Sequence, residues 1–164
     1  LNLYFCKRLK GQKWTAGPAA YGTADQACFP FQDQNGQTVS CNLCNGYIRH
    51  IYKAGATGGV STDVTSLKEA CQQYGPLATT MIVYDDFDYY TGGVYSYAYG
   101  AAEGGHAVLI VGWDDPSQSF YVKNSWGTGW GEAGYFQIAY TEVGGATQFG
   151  SDTQLLTWGS GPCH

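Results

Sequence analysis

Charge is scarce in this sequence. Only 13% of its 164 residues are Asp, Glu, Lys or Arg, and eight basic side chains face 13 acidic ones, for a net charge of -5 and a pI near 4.9. A phosphate backbone finds no basic surface to draw it in, which excludes nucleic acid as a partner. Long apolar runs are missing too. None approaches the ~20 residues that a membrane-spanning helix needs, so no membrane association is expected. The opening Leu1-Asn2-Leu3-Tyr4-Phe5-Cys6 has neither the charged nor the apolar region of a signal peptide. The expectation is that any export signal was removed or was never on this chain. Histidine occurs only three times, so the search for an acid–base side chain is short.

What is plentiful is glycine, tyrosine and tryptophan, at 24, 14 and 5 residues. With 44% hydrophobic residues and a mean hydropathy of -0.25, there is core material for one compact domain or a large piece of a bigger one. The composition is turn-rich and aromatic-rich, as in secreted hydrolases and β-rich binding modules. Six cysteines, an even number, suit an oxidising compartment, whether extracellular, periplasmic or lysosome-like.

Residues 1–60 are broken by Gly11, Gly17-Pro18, Gly22, Pro30, Asn35-Gly36, Gly46, Gly55 and Gly58-Gly59, and read as loop with short elements. Residues 61–164 read as the β-rich part. Asp63 or Thr62 can cap a helix over 64–74, with Val64, Leu67, Ala70, Cys71 and Tyr74 on one face and Gly75-Pro76 as its stop. Strands are predicted over 77–84, 106–113, 120–123 and 135–140, forming an antiparallel sheet. Asp114-Asp115-Pro116-Ser117 turns one hairpin, and the stretch from Trp126 to Gly134 is too glycine-rich for a strand. Gly144-Gly145 marks a loop tip, and residues 159–164 a surface terminus.

Of the three histidines, His50 lies in an alternating run and reads as a solvent-facing strand residue. His164, beside Cys163, lacks the second ligand pair a metal site would need and reads as tail. His106 differs. It stands in Gly104-Gly105-His106-Ala107-Val108, where small neighbours leave the imidazole open and an apolar strand fixes its backbone. Asn124 closes the next predicted strand, and hairpin pairing through the 114–117 turn brings the two residues to the same end. A His oriented by an Asn amide, with Trp126 covering the bond from water, is the base and orienter of a Cys-His-Asn group. The neutral amide suits a resting thiolate–imidazolium pair.

The segment Gly105-His106-Ala107-Val108 with Gly112-Trp113, and the run from Val122-Lys123-Asn124-Ser125-Trp126 through Gly127-Thr128-Gly129-Trp130-Gly131-Glu132-Ala133-Gly134-Tyr135, resemble the His and Asn boxes of the papain-like cysteine peptidases. The stretch Phe87 to Tyr95 resembles the segment preceding the His box, and the 63–76 helix also fits, so the resemblance is firm from about 63 to 140. Further forward, Tyr21-Gly22 through Phe29-Pro30-Phe31 is similar to the family's tyrosine-proline-tyrosine segment, and Leu3-Tyr4-Phe5-Cys6 to the end of its cysteine turn. The resemblance implies an α+β papain-like fold, mostly the antiparallel β-barrel-like half (61–164) with part of the helical half (1–60). It implies hydrolysis of peptide or protein substrates without metal or organic cofactor. His106 and Asn124 would be catalytic. Thr80 and Ala107 would line the pocket for the substrate residue second from the scissile bond. Gly105 stands where the family commonly has Asp or Asn, Trp126 shields the pair, and Trp130 flanks the leaving-group side.

The front departs from the pattern. No Cys-Gly-Ser-Cys-Trp type stretch occurs among Cys6, Cys28, Cys41, Cys44, Cys71 and Cys163. In this family His and Asn follow the nucleophile by about 130 to 150 residues, which places it about two dozen residues before Leu1. The thiol, and the Gln that helps form the oxyanion hole, are therefore expected on a second chain left by maturation or on a lost front segment. The third reading is a nucleophile-free relative, a pseudo-peptidase binding peptides or a partner chain. A transglutaminase-like acyl transferase is disfavoured, since that class usually carries Asp at the Asn124 position. Cys41-Asn42-Leu43-Cys44 has redox or zinc spacing but no second pair, so disulfide bonding is expected there. By resemblance, Cys6 would pair with a cysteine in the absent front. Cys71, on the apolar helix face, reads as a free core thiol. The run Tyr95-Ser96-Tyr97-Ala98-Tyr99 reads as packing and strand edge.

Overall fold

The computed structural model describes residues 23–24, 45, 51–52 and 54–158, with side chains described for residues 45 and 57–157. The chain forms two compact units, residues 1–57 with 156–164 and residues 58–155. In the first, β1 (Thr23–Ala24) and β2 (Ile51–Tyr52) pair antiparallel. His50, His164 and all cysteines except Cys71 lie outside the described residues.

The second unit begins within β3 (Ala54–Val60) and continues into helix α1 (Val64–Tyr74). Asp63 adopts an extended conformation, and its carboxylate accepts the Ser66 N–H at 2.9 Å, satisfying one of the donors orphaned at the helix start. Leu67, Ala70 and Cys71 are buried, following the helical repeat of the sequence. Gly75, at φ 85°, ends the helix with its N–H on the Cys71 carbonyl, a left-handed geometry that glycine adopts without cost. Pro76 follows and bars its continuation.

Strand β4 (Leu77–Tyr84) strictly alternates buried and half-buried residues, so Leu77, Thr79, Met81 and Val83 face inward. It pairs antiparallel along its length with β6 (Ala102–Asp114). β6 begins four residues before the expected start at 106. The glycines there weaken strand propensity, but the β4 backbone offers partners, Ile82 to Gly105 and Val83 to Gly104, and pairing outweighs propensity. Asp114 turns the chain by accepting the Ser117 N–H at 3.1 Å. β7 (Ser119–Lys123) then returns along β6, and β8 (Tyr135–Ala139) along β7. The strand expected to reach Tyr140 stops at Ala139, where a 3-10 turn over Tyr140–Glu142 takes over.

The sheet order is β3-β9-β4-β6-β7-β8-β5. It is not wholly antiparallel as expected, because β5 (Val94–Tyr95) runs parallel to β8. The chain reaches that edge through a four-residue helix, α2 (Asp85–Asp88), and arrives in the direction of β8 rather than against it. β9 (Thr153–Trp158) pairs with β4 at Ala78 to Gln154.

Inward residues of these strands, among them Val108, Ile110, Phe120, Val122, Phe136 and Ile138, join Leu67, Leu77, Met81 and Phe149 in one core. Each large apolar side chain buried this way contributes about 1.5–3 kcal/mol against leaving it in water. Cys71 is buried and free. Burial pushes its thiol pKa up.

Candidate active site

Pairing with β4 fixes the backbone that carries His106, which lies opposite Met81. Its neighbours Gly104, Gly105 and Ala107 are exposed, and a Cβ built on either glycine would meet nothing within 4 Å. The imidazole is half-buried beside that opening. Asn124 follows the last residue of β7, and its backbone N–H donates to the Gly134 carbonyl at 2.9 Å, extending the β7–β8 ladder by one bond. The hairpin thus delivers Asn124 to the end of the sheet where His106 enters it. The His106 Nε2 to Asn124 Oδ1 distance is 2.8 Å.

A second bond fixes the direction of the first. The Ser125 backbone N–H donates to Asn124 Oδ1 at 2.7 Å. A backbone N–H can only donate, so the atom facing it is the amide oxygen, and the His106 Nε2 sharing that oxygen must carry the hydrogen. Nδ1 is therefore the nitrogen free to exchange a proton. The amide nitrogen of Asn124 is buried and has no hydrogen-bond partner among the described residues, in a residue only 4% exposed. Such a donor costs about 1–3 kcal/mol, so orientation is maintained here at the expense of stability.

Trp126 packs against the imidazole. Its ring lies 5.1 Å from the His106 ring, tilted by 34°, and rests edge-on against Phe87 at 5.5 Å and Trp130 at 5.0 Å. Phe87 is fully buried and also packs on Tyr90, Tyr95 and Phe136. Trp130 is anchored by its indole N–H on the Asp88 carbonyl at 3.2 Å. The loop bearing both tryptophans folds tightly enough to require glycine. A Cβ on Gly131 (φ 54°) would stand 2.6 Å from the Tyr135 carbonyl oxygen, and one on Gly134 (φ 88°) 3.1 Å from that of Gly127.

Thr80 and Ala107 are direct partners across β4 and β6, one half-buried and the other exposed. Gly105 lies two positions further along, beyond His106 and opposite Ile82. The structure thus gathers His106, Asn124, Trp126 and Trp130 in one contact network, with Gly105, Ala107 and Thr80 on the strand pair beside it. Sequence reasoning missed Ser125, whose contribution is a backbone N–H that residue identity does not reveal. Tyr95 is buried and Tyr97 half-buried with its ring 4.1 Å from that of Tyr84, while Tyr99 is exposed, so the first two rings of the tyrosine run pack and the third does not. Among the described residues, no group of three or more His, Cys, Asp or Glu side chains could hold a metal ion. Cys71 sits on the buried face of α1 with a raised pKa, the reverse of what a nucleophilic thiol needs.

Comparison with known proteins bears on the same residues. Residues 9–153 match the model of the papain family cysteine proteases. Cathepsin B-like CP3 of Giardia intestinalis is 40% identical over 126 residues, covering 71% of this chain and 42% of that protein. Cathepsin B-like cysteine proteinase 5 of Caenorhabditis elegans is 33% identical, over 79% of this chain and 37% of its own length. Among solved structures, procathepsin B S9 from Trypanosoma congolense superposes with a TM-score of 0.72 at 27% identity, covering 85% of this chain and 50% of that one. The chain thus spans about two fifths of the length of these curated relatives. With an α+β fold shared with cathepsins and a family match running through both the His106 and Asn124 segments, the chain belongs to the papain family of cysteine proteases.

Proposed function

We propose that this chain supplies the base and its orienter to a peptidase that cleaves peptide bonds through a cysteine thiolate. The observation that carries the proposal is the 2.8 Å bond between His106 Nε2 and Asn124 Oδ1, with its direction set by the Ser125 N–H. It leaves Nδ1 toward the open side, where a thiol can meet it. The thiolate attacks the scissile carbonyl carbon, and the carbonyl electrons move onto oxygen. His106 Nδ1 gives its proton to the departing amine as the C–N bond breaks, leaving a thioester. His106 then takes a proton from water as that water attacks the thioester; the sulfur leaves as thiolate and the imidazolium keeps the proton, restoring the pair that began the cycle. Asn124 holds the ring in the plane that serves both transfers, and Trp126 keeps water off the bond that holds it.

None of the six cysteines lies in a sequence like the family's nucleophile box. The thiol therefore comes from a segment or chain outside these 164 residues, with residues 1–60 completing the helical half and 61–164 forming the β-rich half. Peptides or proteins are the substrates. Gly105, Ala107 and Thr80 shape the side that receives the substrate chain, and Trp130 the leaving-group side. An even number of cysteines supports disulfide bonding and an extracellular, periplasmic or lysosome-like location.

The test is intact mass of the whole protein, with and without reduction, alongside hydrolysis of a peptide amide. The expected result is hydrolysis by a protein whose mass includes further polypeptide, either continuous with this chain or released on reduction. A protein that binds peptide amides but leaves them uncut would refute the peptidase reading and support a binding role.

A further inference from the structure

The 3-10 turn after β8 carries a buried acid that the catalytic reading does not use. Glu142 is 5% exposed, and its carboxylate takes three hydrogen bonds. Oε1 accepts from Ser96 Oγ at 2.6 Å and from the Tyr97 N–H at 3.1 Å, and Oε2 accepts from the Thr147 N–H at 3.2 Å. All three donors are neutral groups. Burying a carboxyl group among neutral partners is costly, and an apolar residue of similar volume often serves stability as well. What the carboxylate gains is geometry, since one rigid acceptor ties together two stretches far apart in sequence.

Both stretches brace the strands around His106. Ser96 and Tyr97 open the loop that leads into β6, and the rest of that loop is held by other acids, with Ala98 N–H on Asp86 Oδ2 at 2.9 Å and Ala101 N–H on Asp85 Oδ2 at 2.8 Å. Thr147 belongs to a turn bolted along β4. The Ile82 N–H donates to the Thr147 carbonyl at 2.7 Å, and the Gly150 N–H to the Thr80 carbonyl at 3.1 Å. The opposite edge of that same stretch, Thr80 to Ile82, pairs with Ala107, His106 and Gly105. Glu142 therefore grips the entry to the His106 strand with one oxygen, and with the other the turn that backs its partner strand.

We propose that Glu142 is a positioning residue for His106, holding β4 and the entry of β6 in the register that keeps the imidazole on Asn124. The proposal rests on the peptidase reading for its kinetic consequence but not for its structural one. Glu142→Gln preserves shape and replaces one acceptor with a donor, so one of the three bonds must break. In the whole protein, the expected result is a shift or broadening of the hydrogen-bonded His106 Nε2 proton in the NMR spectrum. A fall in kcat of about tenfold, with KM within about twofold, should accompany it. Ser119→Ala is the control. It is equally buried and loses bonds to Ser117 and Gln137, so it should lower stability without moving the His106 proton. Should Glu142→Gln fail to fold, Ser96→Ala removes only the shortest of the three bonds, and a smaller shift of the same resonance is expected. An unmoved resonance in whichever of these variants folds overturns the proposal. A wild-type protein without peptidase activity refutes the functional reading and leaves the resonance to decide this one.

Discussion

Replacing Asn124 with alanine should separate activity from stability. The side chain holds two bonds through Oδ1, to His106 at 2.8 Å and to Ser125 N–H at 2.7 Å, and carries one buried donor, Nδ2, without a partner among the described residues. Losing the two bonds costs about 1 kcal/mol each, and Ser125 is exposed, so water can take up its N–H. Losing the stranded amide removes a penalty of about 1–3 kcal/mol. The terms nearly cancel, and the net change in folding stability should stay within about 1 kcal/mol, or roughly 2–4 °C in Tm for a protein of this size. Catalysis has no such offset. When His106 is protonated, the bond to Asn124 is charge-assisted and worth about 1.5–3 kcal/mol, so kcat/KM should fall about 10- to 150-fold. The assay is peptide-amide hydrolysis by the whole protein alongside urea unfolding. An unchanged kcat/KM would refute the orienting role. A stability loss above about 3 kcal/mol would refute the reasoning about the stranded amide.

Three further substitutions test the scaffold. Phe87→Ala empties the centre of the aromatic cluster beneath Trp126 and should cost about 3–5 kcal/mol in denaturant unfolding; a loss under about 1 kcal/mol would show that the cluster does not bear on folding. Gly131→Ala meets the Tyr135 carbonyl at 2.6 Å with a positive φ, and should destabilise by about 2 kcal/mol or more, whereas a neutral effect would contradict the tight loop. Asp63 has a pKa lowered chiefly by the Ser66 N–H bond. Its contribution is present above the ordinary aspartate value of 3.8 and lost as pH falls through the lower folded value. Asp63→Asn keeps the cap and removes this titration, so the acid-induced fall in Tm should be shallower than in the wild type, and an equal slope would place the dependence elsewhere.

The parts of the fold that could be read from the sequence are those where several signals coincide. Helix α1 has a cap, a helical repeat and a Gly-Pro stop, and its residues were identified from 64 to 74. The β-favouring run from Leu77 to Tyr84 coincides with β4 from end to end. The His106–Asn124 contact followed from one tight turn, because a hairpin fixes which residues share an end. Parallel pairing at β5 was not legible, since two residues carry no period. β6 starts early because β4 supplies partners for glycines that propensity alone would leave outside a strand. Glu142 was invisible for a different reason. Two of its donors lie 46 and 45 residues away, and no local pattern marks an acid as buried. The readings of Cys6, Cys28, Cys41, Cys44, His50 and residues 159–164 fall outside the described residues.

The central claim is that His106 activates a thiol located outside these 164 residues. Labelling the whole protein with an epoxide thiol inhibitor, mapping the adduct and comparing the rate with that of His106→Ala tests it most directly. The account predicts one adduct, on a cysteine beyond this chain, formed far more slowly in the variant. An adduct on Cys71 or Cys163, or equal rates in the two proteins, would contradict it.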